Sequence, residues 1–335
     1  MHPRPIFRKL GPVPILADFP PVFLLAVATT LGLVFGSFLN VVVYRLPRGL
    51  NVAWPGSSCP ACGKPIAGYN NLPVLSWLLL LGRARCCGVK ISPRYPLIEA
   101  IGGLYAYAIV TTQTLTLPTD TSIALAGTLF FCHLALGLSL VAAAFIDLEH
   151  LYLPDVLTFG GIGLGLLSLP LRHNIDWKAS LLGAAVGFLV VWLPFDVLYR
   201  LIRGRVGMGL GDAKLVMLAG VWFGWQGALF TLLAGAVQGS IIILTVFLVR
   251  GKVDEPEAVK LERETARLEL EKADGAEREQ LEALLLKDPV LAQPAAEGLG
   301  QSMVPFGPFL VLALIEYQLF GNDVIFPFLF DVTAP

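Results

Sequence analysis

Apolar residues in this chain neither alternate nor form narrow stripes. They come in long unbroken runs separated by polar or basic connections. A helix needs about 20 apolar residues to cross the hydrocarbon core of a bilayer. The runs that qualify, or nearly so, are Pro21–Val43, Leu97–Thr116, Ile123–Ile146, Leu153–Leu171, Ala179–Leu201, Ala213–Gly227, Ala228–Val249 and Val304–Phe320. The sixth is short, and its separation from the seventh is placed at "GWQGA". The pattern predicts an all-α polytopic membrane protein with about eight transmembrane helices, because a membrane barrel would alternate apolar and polar positions instead. The apolar run near the N-terminus leads straight into "GSFLNVVVYRLPRG" with no small-residue cleavage site, so it reads as a retained first span.

Composition agrees with the pattern. Of 335 residues, 56% are hydrophobic and only 15% charged, against about a quarter charged in soluble domains. Mean hydropathy is +0.72. The formal net charge is −1, and no nucleic-acid partner is expected; membrane lipid is. The placement of charge says more than its sum. Lys and Arg near span ends mark the cytoplasmic side. Arg45, Arg48, Lys64, Arg83, Arg85, Lys90 and Arg94 lie between spans one and two, Arg200, Arg203 and Arg205 before span six, and Arg250 and Lys252 after span seven. Eight spans put these connections on one side, taken as cytoplasmic. Arg4, Arg8 and Lys9, which precede span one, run against this majority.

Five regions follow. Residues 1–44 hold the N-terminus and first span, 45–95 a cytoplasmic cysteine loop, and 96–250 spans two to seven with the paired aspartates described below. Residues 251–301 form a charged helical insert, and 302–335 the last span and tail. In the insert, acids and bases interleave at helical spacing around Leu261, Leu268, Leu281 and Leu285, which predicts a solvated amphipathic helix or a hairpin broken near Gly275. Glycines four apart (Gly161 and Gly165, Gly183 and Gly187, Gly220 and Gly224) predict close packing between spans.

The cysteine loop carries "SSCPACGKPI" and "RARCCGVKI". Two such knuckles would give zinc four thiolates, from Cys59, Cys62, Cys87 and Cys86. A regular second knuckle would start with a cysteine at position 84, which is Ala84 here, and adjacent Cys86 and Cys87 chelate one ion awkwardly. A knuckle that folds without metal is the other reading. Cys132, beside His133 within span three, is expected to pack in the core.

Asp147 ends span three in "AAAFIDLEHLYLPD" and Asp212 opens span six in "GMGLGDAKL". An acid beside a span is costly and needs a reason. Both would lie at the cytoplasmic boundary, where two carboxylates in one partly dry site divide into a general acid and a general base. Gly207, Gly209 and Gly211 would let an extended backbone approach Asp212. An N-terminal cap is the alternative reading of Asp212.

Beyond the residues' own chemistry, "GMGLGDAKL" resembles the GxGD signature of membrane aspartyl proteases. With "FGSFLNVVVYRLP", "CPACGKPIAGYNNLPVLSWLLLLGR", "ISPRYPLIEA", "FIDLEHLYLPD" and "VPFGPFL" in order, the chain resembles the type IV prepilin leader peptidases over nearly its whole length outside the insert. The resemblance implies an inner-membrane endopeptidase that removes the basic leader of prepilins or type II secretion pseudopilins at the cytoplasmic face, with Asp147 and Asp212 as the catalytic pair. It also implies N-methylation of the new N-terminus from S-adenosylmethionine, an activity associated with the cysteine loop and therefore touched by Ala84. Glu149 stands where many relatives have Asp and is not counted as catalytic. Asp155 is a weaker catalytic candidate whose other reading is a cap of span four, Lys214 either raises the positive potential near Asp212 or snorkels, and Arg45, Arg94 and Glu99 are read as orienting the loop. Three other readings are weighed: a peptidase-only relative with a degenerate loop, a methyltransferase with structural aspartates, and a non-enzymatic transporter or scaffold. A transporter should carry acids near the bilayer midplane, and the spans hold almost none; Asp196, for instance, lies toward an end.

Overall fold

The computed structural model describes residues 13–59, 61–203, 208–251, 256–285, 304–321 and 325. Gly207, Arg205, Lys252 and the basic residues before span one lie outside them. The described chain is helical: α1 (Pro21–Arg45), α2 (Leu75–Leu79), α3 (Arg94–Ile109), α4 (Ile123–His150), α5 (Asp155–Ser168), α6 (Trp177–Val191), α7 (Tyr199–Arg203), α8 (Leu210–Arg250), α9 (Glu257–Lys272), α10 (Gly275–Leu285) and α11 (Gly307–Phe320). π-helical turns extend α3 through Thr114 and join α6 to α7. Among the described residues, four helices are long and apolar enough to cross a membrane by themselves: α1, α4, the α6–α7 unit and α8. Asp155–Leu171 and α11 are shorter apolar helices.

The 41-residue α8 holds two of the expected spans. Gly224 adopts φ 71°, ψ −173°, a conformation that side chains avoid, and the helix breaks there. The contacts on either side run in opposite directions. In the first arm, Lys214 meets Asp155 and Trp222 meets Gly165, so this arm runs parallel to α5. In the second, Gly227 faces Tyr317, Gly235 faces Leu310 and Gly239 faces Phe309, antiparallel to α11. The chain therefore reverses, and the break sits at Gly224 rather than between Gly227 and Ala228 as the apolar pattern suggested.

Two apolar clusters form the core. One joins α1, α3 and α4 around Ile98, Ile109, Leu134 and Ile146. The other joins α4, α5, both arms of α8 and α11 around Leu136, Leu215, Trp222 and Leu314. With lipid outside, helix association depends on close packing rather than on the hydrophobic effect. A Cβ on Gly183 would lie 2.3 Å from the carbonyl oxygen of Gly220, so the backbones of α6 and α8 touch.

The helix directions sort the termini into two ends. Arg45, Arg94, Glu149, Lys214 and Arg250 belong to one, the basic end, as the charge pattern required. The insert is a helix pair broken between α9 and α10, with Gly275 at φ 55°. Of its leucines, Leu261 and Leu268 of α9 are exposed and Leu281 and Leu285 partly buried, whereas Val259 is fully buried. A contact joins the insert to α4, His150 Nδ1 to Glu262 Oε1 at 3.2 Å.

Candidate active site

Asp147 lies in the last turn of α4 and is 6% exposed. Its Oδ2 accepts a hydrogen bond of 2.9 Å from Gly307 N–H, the first residue of α11. The free N–H groups and dipole of a helix N-terminus favour negative charge. A Cβ at Gly307 would stand 2.8 Å from Asp147 Oδ2 and 3.0 Å from Leu153 Cδ2, so only glycine brings the helix this close.

Asp212 is the third residue of α8, after an N-cap at Gly209. Its backbone N–H donates to the Gly209 carbonyl at 3.1 Å, and its carboxylate turns back over Gly209. The capping position expected from sequence is thus occupied by Gly209, with Asp212 one turn further in. Leu153, in the link from α4 to α5, packs against both Gly211 and Gly307, closing the wall between the two acids. Asp147 and Asp212 are close enough for their charges to interact, although 65 residues separate them in the chain. Gly211 serves packing against Leu153, whereas a Cβ on Gly209 would meet nothing nearer than Asp212 Oδ2 at 3.7 Å, so the open approach to the acid is over Gly209.

The neighbouring charges pair with each other. Lys214 Nζ bonds Asp155 Oδ1 at 2.6 Å, holding the start of α5 beside α8. Arg94 pairs with Glu149, and Asp196 with Arg200 at 2.5 Å. Arg45 donates to the Asn51 carbonyl at 3.1 Å, and the buried Glu99 accepts from Val74 N–H at 2.7 Å, so both residues tie down the cysteine loop. Cys132 is partly buried against the core, as expected. A cavity of about 320 Å³ lined by His133, Arg172 and Gln318 lies at the opposite end of the bundle, away from both acids.

The cysteine loop brings Cys59, Cys62, Cys86 and Cys87 together, with all four Sγ atoms within 4.8 Å of one another. Cys59–Cys87 is 3.6 Å, Cys62–Cys86 3.4 Å and Cys86–Cys87 3.8 Å. Thiolates at the usual zinc distance in a tetrahedron are about 3.8 Å apart, so the donor set fits zinc. The two turns correspond. Cys59 N–H bonds Lys64 O, and Ala84 N–H bonds Val89 O, with Gly63 (φ 70°) and Gly88 (φ 72°) in matching places. Ala84 therefore occupies the place of the missing cysteine. Cys86 supplies the fourth sulfur from within the turn, and its adjacency to Cys87 does not keep it out. Hydrogen bonds from the backbone N–H groups of Cys62 and Ala61 bring the Cys59 thiol down to about 6, while sharing with Cys62 and Cys59 pushes Cys86 up to about 12.

Of the residues that complete the aspartate site, Gly307 and Leu153 were not singled out from sequence. The one signal for Gly307 was its place in "VPFGPFL".

Comparison with known proteins agrees with this architecture. Residues 30–113 match the bacterial peptidase A24 N-terminal domain, and residues 134–244 match the type IV leader peptidase family. The chain is similar to proteins named prepilin leader peptidase/N-methyltransferase. One from Pseudomonas putida is 36% identical over 261 residues, covering 70% of this chain and 84% of that protein. One from Klebsiella pneumoniae is 42% identical over 209 residues, covering 60% and 86%. One from Myxococcus xanthus strain DK1622 is 34% identical over 314 residues, covering 87% and 88%. No solved structure matches the chain. With glycine-framed carboxylates at one end of a helical bundle, and relatives matched over most of their length, the chain belongs to the type IV leader peptidase family.

Proposed function

We propose that the protein is an inner-membrane aspartyl endopeptidase that removes the basic leader from type IV prepilins or type II secretion pseudopilins, and then N-methylates the exposed residue. The observation that carries this reading is that Asp147, bonded to Gly307 N–H, and Asp212, next to Gly211, flank the same Leu153, which packs against both glycines. One carboxylate, ionised, takes a proton from a water whose oxygen attacks the scissile carbonyl. The other, protonated, gives its proton to the leaving nitrogen as the C–N bond breaks. The extended leader reaches the pair over Gly209. Cleavage lies at the cytoplasmic face, because the basic leader stays inside by the same rule that orients this chain.

Cys59, Cys62, Cys86 and Cys87 would hold a zinc ion that locks the two turns together, a structural role separate from proteolysis. S-adenosylmethionine, when bound, supplies the methyl group. Family membership supports that assignment. Within this reading residues 1–44 carry the first span, 45–95 the cysteine module, 96–250 the paired-aspartate bundle, 251–301 the insert and 302–335 the last span.

The test is leader cleavage of a co-expressed prepilin by Asp147→Asn and Asp212→Asn. Each is expected to lose roughly 10²–10⁴-fold in cleavage at normal membrane levels, while purified variants still methylate an already cleaved pilin. Cleavage at the wild-type rate by either variant would remove that aspartate from the site.

A further inference from the structure

The segment Val74–Leu81 lies in the region read from sequence as a cytoplasmic loop, but it is bonded alongside α3 and leaves a cluster of leucines exposed. We infer that α2 and its flanks form a foot set into the lipid leaflet at the basic end, with Leu75, Leu78, Leu79 and Leu81 among the acyl chains and Arg83 and Arg85 at anionic headgroups.

Depth comes first. Val74 N–H is bonded to Glu99, five residues into α3 or about 7 Å along its axis. Glu99 packs against Gly36 of α1, since a Cβ on Gly36 would stand 2.9 Å from Glu99 Cα. Nine residues of α1, about 13 Å of helix, lie between Gly36 and the basic terminus at Arg45. The start of α2 therefore sits beside the membrane helices rather than beyond their ends.

The surface is the second observation. Leu75 and Leu78 are more than half exposed, Leu79 is 79% exposed and Leu81 85%. The opposite face is occupied: Ser76 is buried, and Trp77 Nε1 donates to Ile91 O at 3.1 Å. Val74 and Leu81, one at each end of α2, have positive φ (61° and 50°), conformations that β-branched and bulky residues avoid and that aim the leucines outward.

The backbone is the third. Lipid-exposed chain must satisfy its own polar groups. Leu72 N–H bonds Ser76 Oγ, Val74 bonds Glu99, and Leu75 bonds Pro73 O. Leu78, Leu80, Leu81, Gly82 and Arg83 bond carbonyls within the segment. Arg83, Arg85 and Lys90 follow on the exposed surface, giving the basic rim that draws an apolar surface to an anionic leaflet.

The experiment places the photoreactive residue p-benzoylphenylalanine at Leu79 or Leu81 of the full chain, in nanodiscs of phosphatidylethanolamine and phosphatidylglycerol. Val34 on the open face of α1 serves as the lipid-facing reference and Glu279 of α10 as the water-facing one. Lipid adducts at positions 79 and 81 in yields near that at 34 are expected. Yields like that at 279, or adducts to protein instead, would overturn the foot. In an Arg83→Gln, Arg85→Gln background, the phosphatidylglycerol share of the adducts should fall several-fold while total yield persists. An unchanged share would overturn the assignment of the headgroup contacts. None of these readouts depends on peptidase or methyltransferase activity, so they fail or succeed independently of the proposed reaction.

Discussion

The paired aspartates and the four cysteines are both clusters of reactive groups at the basic end, yet they are built in opposite ways. The aspartate site is assembled across the chain, with Gly307 160 residues from the Asp147 it contacts. Helix packing holds it, with Asp147 and Leu153 buried and Asp212 partly buried. The cysteine site is local, two tight turns 24–28 residues apart with three of four thiols exposed. Packing supplies the geometry of the first, whereas the second has little core of its own, and in the proposed reading a zinc ion would hold its two turns together. The two should therefore fail under different insults.

Removing the cysteine ligands is the strongest break. Cys59→Ser, or a strong chelator, should release zinc and abolish methyl transfer while leader cleavage changes little, read by metal analysis alongside both assays. Coupled loss of cleavage would mean that the two regions are one unit. Gly307→Ala attacks the other side. Its methyl group would enter the space of Asp147 Oδ2 and Leu153, and a displacement near 1 Å can cost on the order of 10²-fold. Cleavage should fall by about that much with methylation intact.

Gly183→Val tests the packing that supports the aspartates. The new side chain meets the Gly220 backbone at 2.3 Å, and overpacking typically costs about 1–3 kcal/mol, visible as a lower unfolding temperature in detergent. Exchanging ligands within the cysteine module should have almost no effect: Ala84→Cys combined with Cys86→Ala restores a regular knuckle and should keep one zinc per chain. Loss of the ion there would refute the equivalence of Ala84 with the missing cysteine. Smallest of all is Glu262→Gln. Its partner His150 is buried, but Glu262 is half exposed, and such pairs contribute about 0–1 kcal/mol. Cleavage should be unchanged.

Long apolar runs, the basic side, both aspartates and all four cysteines were legible in the sequence, because hydropathy, charge asymmetry and short spacings are local properties. The chain reversal was legible too, but only as an interval around "GWQGA", since periodicity does not say which glycine adopts a positive φ. Other features were hidden. The insert read as a solvated amphipathic helix or broken hairpin, but nothing in its spacing marked Val259 and Ala273 as its buried residues. Gly211 looked like a substrate path, yet it packs on Leu153. Adjacent Cys86 and Cys87 looked awkward as ligands of one ion, yet the turn after Ala84 brings both sulfurs to the cluster.

By itself, the sequence determined that this chain enters a membrane, which end carries the positive charge and which residue types are available for acid–base and metal chemistry, because each follows from composition within a few turns of chain. Tertiary structure alone decided that Asp147 meets a helix N-terminus at Gly307, that Leu153 packs against Gly211 and Gly307 beside the two acids, and that Val74 N–H bonds Glu99. Those contacts join residues 25 to 160 positions apart. Their existence depends on how closely glycine-lined helices pack, which no local pattern specifies.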